Sequence, residues 1–174
     1  IKEGRGDELW NDKPKKKRHK DIDARWTKKN GETFYGYKNH AKVDAKSKFI
    51  DNYVVTDASV HDSQALDTLL TEKYSCQELY ADSAYTGEEQ EKTIERHGLV
   101  NKVHEKGYRN KPLTEEQKQN NKNKSKVRAR VEHVFGFMEQ SMKGLQLKSI
   151  GIVRATGIIG LINLTYNLFR FEQI

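Results

Sequence analysis

The segment from Ile152 to Phe171 constrains the fold of this chain most. It is mostly apolar and close to the roughly 20 residues that cross a bilayer. Arg154, Asn163, Asn167 and Arg170 interrupt it, so the expectation is a buried core helix and no membrane span. A helix of that kind needs a sheet or other helices to pack on.

The sequence offers both. Phe34–Asp44 alternates in part, and Phe49–Thr56 is β-branched and aromatic. With Ala45-Lys46-Ser47 as the turn, they predict an antiparallel hairpin. Ser59 and Asp62, three apart before Ala65-Leu66 and Leu69-Leu70, predict a capped helix start. Glu78–Ala81 reads as a short strand running into Asp82–Gly87, Glu88–His97 as a helix, and Leu99–His104 as another strand. Residues 105–125, polar and rich in Lys, Asn and Gln, read as a long surface connection. From Lys126 to Met142, Val127, Val131, Val134 and Met138 recur at helical spacing. The fold class is therefore mixed α/β.

The 174 residues suit one domain. Lys plus Arg number 32 against 25 Asp plus Glu, a net charge of +7 that suits an anionic partner. Lys13–Lys20 is almost wholly basic, so residues 1–20 are expected to form a solvated arm, with phosphate contact as the alternative. One cysteine, Cys76, excludes an internal disulfide and a four-cysteine zinc site. The absence of an apolar signal segment points to a cytoplasmic protein, and Ile1 in place of Met points to a fragment or processed product.

Two acidic residues stand out. Asp82 ends a predicted strand before small residues and a glycine, where α/β domains place ligands, although an ordinary turn aspartate reads the same way. Glu132 lies beside the apolar stripe with Arg128 one turn back, which permits a metal ligand or a simple ion pair. Lys122, Lys124, Lys126, Arg128 and Arg130 surround the approach to Glu132. Carboxylates held among cations suit metal-assisted attack on a phosphodiester; a solvated basic face is the plainer reading. His61 and Asp62 beside Asp57 allow metal binding or capping, and Trp26 with Tyr35-Gly36-Tyr37 allows base stacking or core packing. No glycine-rich phosphate loop, nucleophile elbow or dinucleotide fingerprint is present.

Tyr80-Ala81-Asp82-Ser83-Ala84-Tyr85-Thr86-Gly87 resembles the second-aspartate motif of bacterial insertion-sequence transposases of the Asp-Asp-Glu type. Val127-Arg128-Ala129-Arg130-Val131-Glu132-His133-Val134-Phe135-Gly136 resembles their glutamate helix. The likeness is to the insertion-sequence four/five group and runs from about Asp21 to the C-terminus, through Gly36-Tyr37-Lys38-Asn39-His40 and Val60-His61-Asp62-Ser63. The group's Tyr-Arg-Glu-Lys signature is partial: Arg128 and Glu132 match, while Ser125 and Glu139 stand at the outer positions, with Lys143 one turn further on.

The resemblance implies an RNase H-like fold, a mixed sheet with flanking helices, over residues 21–174. It implies three carboxylates holding Mg²⁺, with Mn²⁺ as the alternative ion. Asp82 and Glu132 take the second and third places, as catalytic and metal-binding residues. The first aspartate, on the first strand, is expected upstream of Ile1, so the chain is read as truncated; Asp21 and Asp23 are the only nearby stand-ins. The implied activity is cleavage of DNA ends and strand transfer into double-stranded target DNA by a homodimer in a synaptic complex. Lys124, Lys126, Arg128, Arg130 and Lys143 are the expected DNA contacts. The rival readings are a non-catalytic DNA-binding fragment and a metal-dependent nuclease of the same fold.

Overall fold

The computed structural model describes residues 6–29, 31–71, 76–143 and 146–174. Two short helical turns lie within the first 20 residues, α1 (Gly6–Leu9) before the basic stretch and α2 (Pro14–Lys17) inside it. Three antiparallel strands follow: β1 (Arg25–Lys29), β2 (Glu32–Val43) and β3 (Ile50–Asp57). β2 is long enough to serve two partners in succession. Its first part pairs with β1, from Glu32 opposite Lys29 to Gly36 opposite Arg25. From Tyr37 opposite Asp57 onward it pairs with β3. The switch falls at Gly36, whose φ of +153° is open to glycine and costly for other residues.

After β3 come a 3₁₀ turn (Asp62–Ala65), α3 (Leu66–Leu69), β4 (Glu78–Leu79), a second 3₁₀ turn (Ser83–Tyr85), α4 (Glu88–Arg96) and β5 (Val100–Asn101). β4 and β5 are parallel. Their ladder extends past the named strands, because Lys102 and His104 donate to the carbonyls of Leu79 and Ala81. Two long helices close the chain, α5 (Glu115–Gln140) and α6 (Ile152–Glu172). The fold is mixed α/β as expected, with its strands in two sheets: β1-β2-β3 and β4-β5. Residues 37–43 pair with β3 alone and β4 pairs with β5 alone, so each keeps an open edge among the described residues.

α6 and α5 cover one face of the larger sheet, burying Ile50, Val134, Met138 and Tyr166 together. On the other face Asn52 reaches the Leu69 carbonyl and ties α3 down. A second core of Leu66, Leu70, Ile94 and Val103 lies under β4 and β5.

The sequence reading of α6 needs correction. It is not a helix buried all round: Ala155, Ile159, Asn163 and Tyr166 face inward, whereas Leu161, Leu164, Leu168 and Phe171 are exposed. The residues that interrupt its apolar run are the ones that fasten it. Asn163 exchanges hydrogen bonds with Asn39, at 2.9 and 3.4 Å. The Asn167 amide accepts from Ile50 N and donates to Ile50 O, both at 2.9 Å, as a neighbouring strand would. Arg170 Nε donates to Ser47 O at 2.7 Å. Close approach is allowed by Gly160, where a Cβ would collide with the Tyr53 hydroxyl. By length and composition α6 could also cross a bilayer, but this hydrogen bonding makes it part of the domain.

Asp21 and Asp23 prove to be structural. Asp21 accepts from the Tyr37 hydroxyl, from its neighbours' amides and from Gly151 N; Asp23 accepts from Ile152 N. Two carboxylates thus satisfy the orphan amides at the start of α6 and favour its positive dipole end. Burial alone would raise the Asp21 carboxyl, but these hydrogen bonds outweigh it and hold it below the usual carboxylate range.

Three smaller expectations also change. Residues 115–125 are helix, not loop, because Thr114 and Gln117 form a reciprocal capping box and the polar residues after them favour helix. The cap before α3 is His61, which accepts from Ser63 N; Ser59 instead bonds to Asp57. β1 had no counterpart in the sequence reading, and Trp26 and Tyr35 meet on its exposed side, their ring centroids 5.0 Å apart.

Candidate functional site

Asp82 stands where the β4 ladder ends. Its Oδ1 accepts from Ala84 N at 2.9 Å and starts the 3₁₀ turn. His104 ends the neighbouring β5 ladder and leans on α5. There its Nε2 lies 3.3 Å from Ser125 Oγ and its Nδ1 lies 3.4 Å from Arg128 Nη1. Arginine can only donate, so Nδ1 accepts and Nε2 carries the proton. That proton goes to Ser125 Oγ, whose own hydrogen is given to the Asn121 carbonyl.

One turn further along α5, Glu132 Oε1 lies 3.6 Å from Arg128 Nη2. Glu132 is exposed, its side chain 70% accessible, so it carries little desolvation cost beside the apolar stripe. Arg128 thus meets both Glu132 and the His104 that ends the ladder beside Asp82.

The electrostatics mark one neighbourhood. Burial pushes the Tyr85 hydroxyl up to about 12, Asp62 and Asp82 push the same way, and Arg128 opposes them. Burial, then Arg128 and Lys124, holds His104 below the ordinary histidine value, with Asp82 opposing. Asp82, Tyr85, His104 and Arg128 thus interact, and Glu132 joins through Arg128. Among the described residues, no three His, Cys, Asp or Glu side chains gather closely enough to hold a metal ion.

The sequence reading gave no role to Lys38, Tyr85 or His104. Lys38 Nζ donates to Asp62 Oδ1 at 2.9 Å and to Val60 O at 2.7 Å, which joins β2 to the turn facing Tyr85. The signal for this lay in Gly36–His40, each member of which has a distinct task. Gly36 marks the change of partner strand, Tyr37 holds Asp21, Lys38 holds Asp62, Asn39 holds Asn163, and His40 meets Thr56 Oγ1 at 2.8 Å.

The cations divide. Arg128 is shared by Glu132 and His104. Lys124 donates to Val103 O at 2.9 Å and pairs with Glu105 at 3.6 Å, so it braces the end of β5. Arg130 points to the β2–β3 turn and donates to Ala45 O. Lys126 and Lys143 are exposed. Beside Glu132, a groove of about 520 Å³ runs between α5 and α6, lined by Lys48, His133, Phe137 and Arg170 among others.

Residues 12–168 match the transposase DDE domain family, and the chain belongs to it. It is 32% identical over 151 residues to the transposase for insertion sequence element IS1106 of Neisseria meningitidis serogroup B, a match covering 87% of this chain and 52% of that protein. The chain spans about half the length of this curated relative. No solved structure matches it.

Proposed function

We propose that this chain is the catalytic portion of a DNA transposase, which cleaves element ends and transfers the strands to double-stranded target DNA. The observation that carries the reading is Arg128, which stands 3.6 Å from Glu132 and acts on the same Tyr85 and His104 as Asp82. Asp82 and Glu132 offer only oxygen donors, and Mg²⁺ takes one or two carboxylates plus water and phosphate oxygens, so the donor set fits that ion or Mn²⁺. The bound ion would supply an activated attacking oxygen and charge stabilisation at phosphorus.

The chain's own residues do the rest. Arg128 steadies Glu132 and meets the nearby phosphate, and neutral His104 holds the guanidinium in place. The exposed Lys126 and Lys143 grip the backbone of the duplex, and Lys124 and Arg130 reach it only by leaving Val103 O and Ala45 O. A third carboxylate would arrive on a strand seated between the open edges of β2 and β4. That strand would join the two sheets into the single RNase H-like sheet. The working form would be a homodimer that pairs two DNA ends, in the bacterial cytoplasm at the nucleoid.

Calorimetric titration of Mg²⁺ into the chain tests the shared site, repeated with Asp82→Ala and Glu132→Ala. Binding lost in both variants supports the reading. Binding indifferent to both overturns it and leaves a DNA-binding fragment, marked by metal-independent affinity that falls steeply with salt. In a longer protein containing this chain, Glu132→Gln is expected to abolish cleavage and leave DNA binding largely intact.

A further inference from the structure

α6 wears its polarity inside out. Asn163, Asn167 and Arg170 point to the sheet and its turn, while Leu161, Leu164, Leu168 and Phe171 are between 54% and 74% exposed on the opposite side. Val153 and Ile174 extend the same exposed stripe at either end. A contiguous apolar face of this size is costly in water and marks an interaction site.

We propose that this face is the contact between two copies of the chain, with their α6 helices packed antiparallel around a two-fold axis at Leu164. Gly157, Leu161, Leu164, Leu168 and Phe171 follow the alternating four- and three-residue spacing of a helix–helix seam. The seam is complementary to its own reverse. With the axis at Leu164, the bulky Phe171 of one copy meets Gly157 of the other, where a side chain would find open space. Leu161 meets Leu168, and Leu164 meets itself.

Charge agrees with that direction. Arg154 and Glu172 are about five helical turns apart, so they stand on the same flank of the stripe. Antiparallel packing brings Arg154 of each copy to Glu172 of the other, twice by symmetry. Parallel packing would set phenylalanine against phenylalanine and leave Arg154 and Glu172, on one flank, without each other across the seam. Neither Arg154 nor Glu172 makes an ion pair among the described residues. The proposal deepens the dimer of the proposed function by giving its surface, yet it rests on α6 alone.

Light scattering and sedimentation of the 174-residue chain test it. The expected mass is twice 20.2 kDa at micromolar concentration. Leu164→Glu is expected to weaken association roughly 100-fold or more, because both copies lose a central apolar contact. Arg154→Glu is expected to weaken it roughly three- to tenfold, and adding Glu172→Arg to restore it. Direction is read in a Cys76→Ser background. Gly157→Cys and Phe171→Cys should cross-link to each other and neither to itself.

Helix content by circular dichroism shows that each variant is folded, since every substituted position on α6 is exposed. A monomer at these concentrations overturns the proposal and leaves the face to another part of a longer protein. A monomer that floats with neutral phosphatidylcholine vesicles overturns it in favour of a membrane. Cross-links of 157 to 157 overturn the antiparallel arrangement. The readout is mass, not DNA chemistry, so this proposal and the transposase reading can fail separately.

Discussion

The two halves of the domain are held together by different means. The β1–β3 sheet and α6 are joined by side-chain hydrogen bonds between residues more than a hundred positions apart: Asn39 with Asn163, Asn167 with Ile50, Arg170 with Ser47, and Asp21 and Asp23 with the start of α6. The β4–β5 half has two-residue strands, a four-residue buried core and an open strand edge. The candidate site hangs on the second half and on α5, which belongs to both. A rigid scaffold therefore carries a lightly braced acidic strand end. That suits the site proposed above, which a further strand and a polyanion would complete.

Cutting the scaffold's core should have the largest effect. Met138 is fully buried among Ile50, Val134 and Tyr166, so Met138→Ala is expected to cost about 2–5 kcal/mol in urea unfolding. Domains of this size hold about 5–15 kcal/mol in total, so one such cavity removes a large share. Ile94→Ala makes a comparable cavity in the other core, where the expected damage is local. Hydrogen exchange should show β4 and β5 amides losing protection before those of β2 and β3. Equal loss in both sheets would mean that the halves unfold as one unit, and the contrast drawn above would fall.

Next in size is the polar tie between sheet and α6. Asn163→Leu strands the Asn39 amide against an apolar neighbour and is expected to cost about 1–3 kcal/mol. Changing both Asn39 and Asn163 to Leu should recover part of that loss, because no buried donor is then left over. Loss equal to the single substitution would show that the pair acts through packing geometry and not through hydrogen bonding.

Much of this was legible in the sequence, and the misses share a physical cause. The β2–β3 hairpin follows from local alternation, and α4 from glutamates in its first turn and Arg96 in its last, signals that act over a few residues. α6 was located correctly but its inner face was misjudged, because hydropathy marks apolar residues as buried. It cannot know that Asn167 will stand in for a strand at Ile50. The polar first half of α5 failed for the converse reason, since a helix without an apolar stripe looks like a loop unless Thr114 and Gln117 are weighed as a cap. At the candidate site, the sequence singles out Asp82 and Glu132 by residue type and neighbours. The link through His104 and Arg128 was not legible, because it joins a strand end to a helix across 24 positions.

A milder test separates the two ends of α5. Thr114→Ala removes one arm of the capping box and is expected to cost about 1 kcal/mol. The loss should appear as fraying of residues 115–120, with Val134 and Met138 still protected from exchange. Fraying that reached Arg128 would make the cap part of the site's support.

The smallest expected effect lies at the seam between the halves. His40 is buried on β2, where burial chiefly, with Lys38 adding and Asp62 opposing, lowers its pKa below the ordinary histidine value. Thr56 Oγ1 donates to Asp57 O, so it receives the proton of His40 Nε2, and burial favours the neutral ring. The unfolded chain then binds more protons than the folded one between the lowered value and about pH 6.5. Stability is fully present above that value and falls as the pH drops through the window, by at most about 1.4 kcal/mol per pH unit. His40→Gln keeps an amide donor for Thr56 and does not titrate. Urea midpoints measured at neutral pH and about pH 5 should fall less in the variant than in the parent. An identical fall in both would place the acid sensitivity elsewhere, with His104 at the site as the next group to replace.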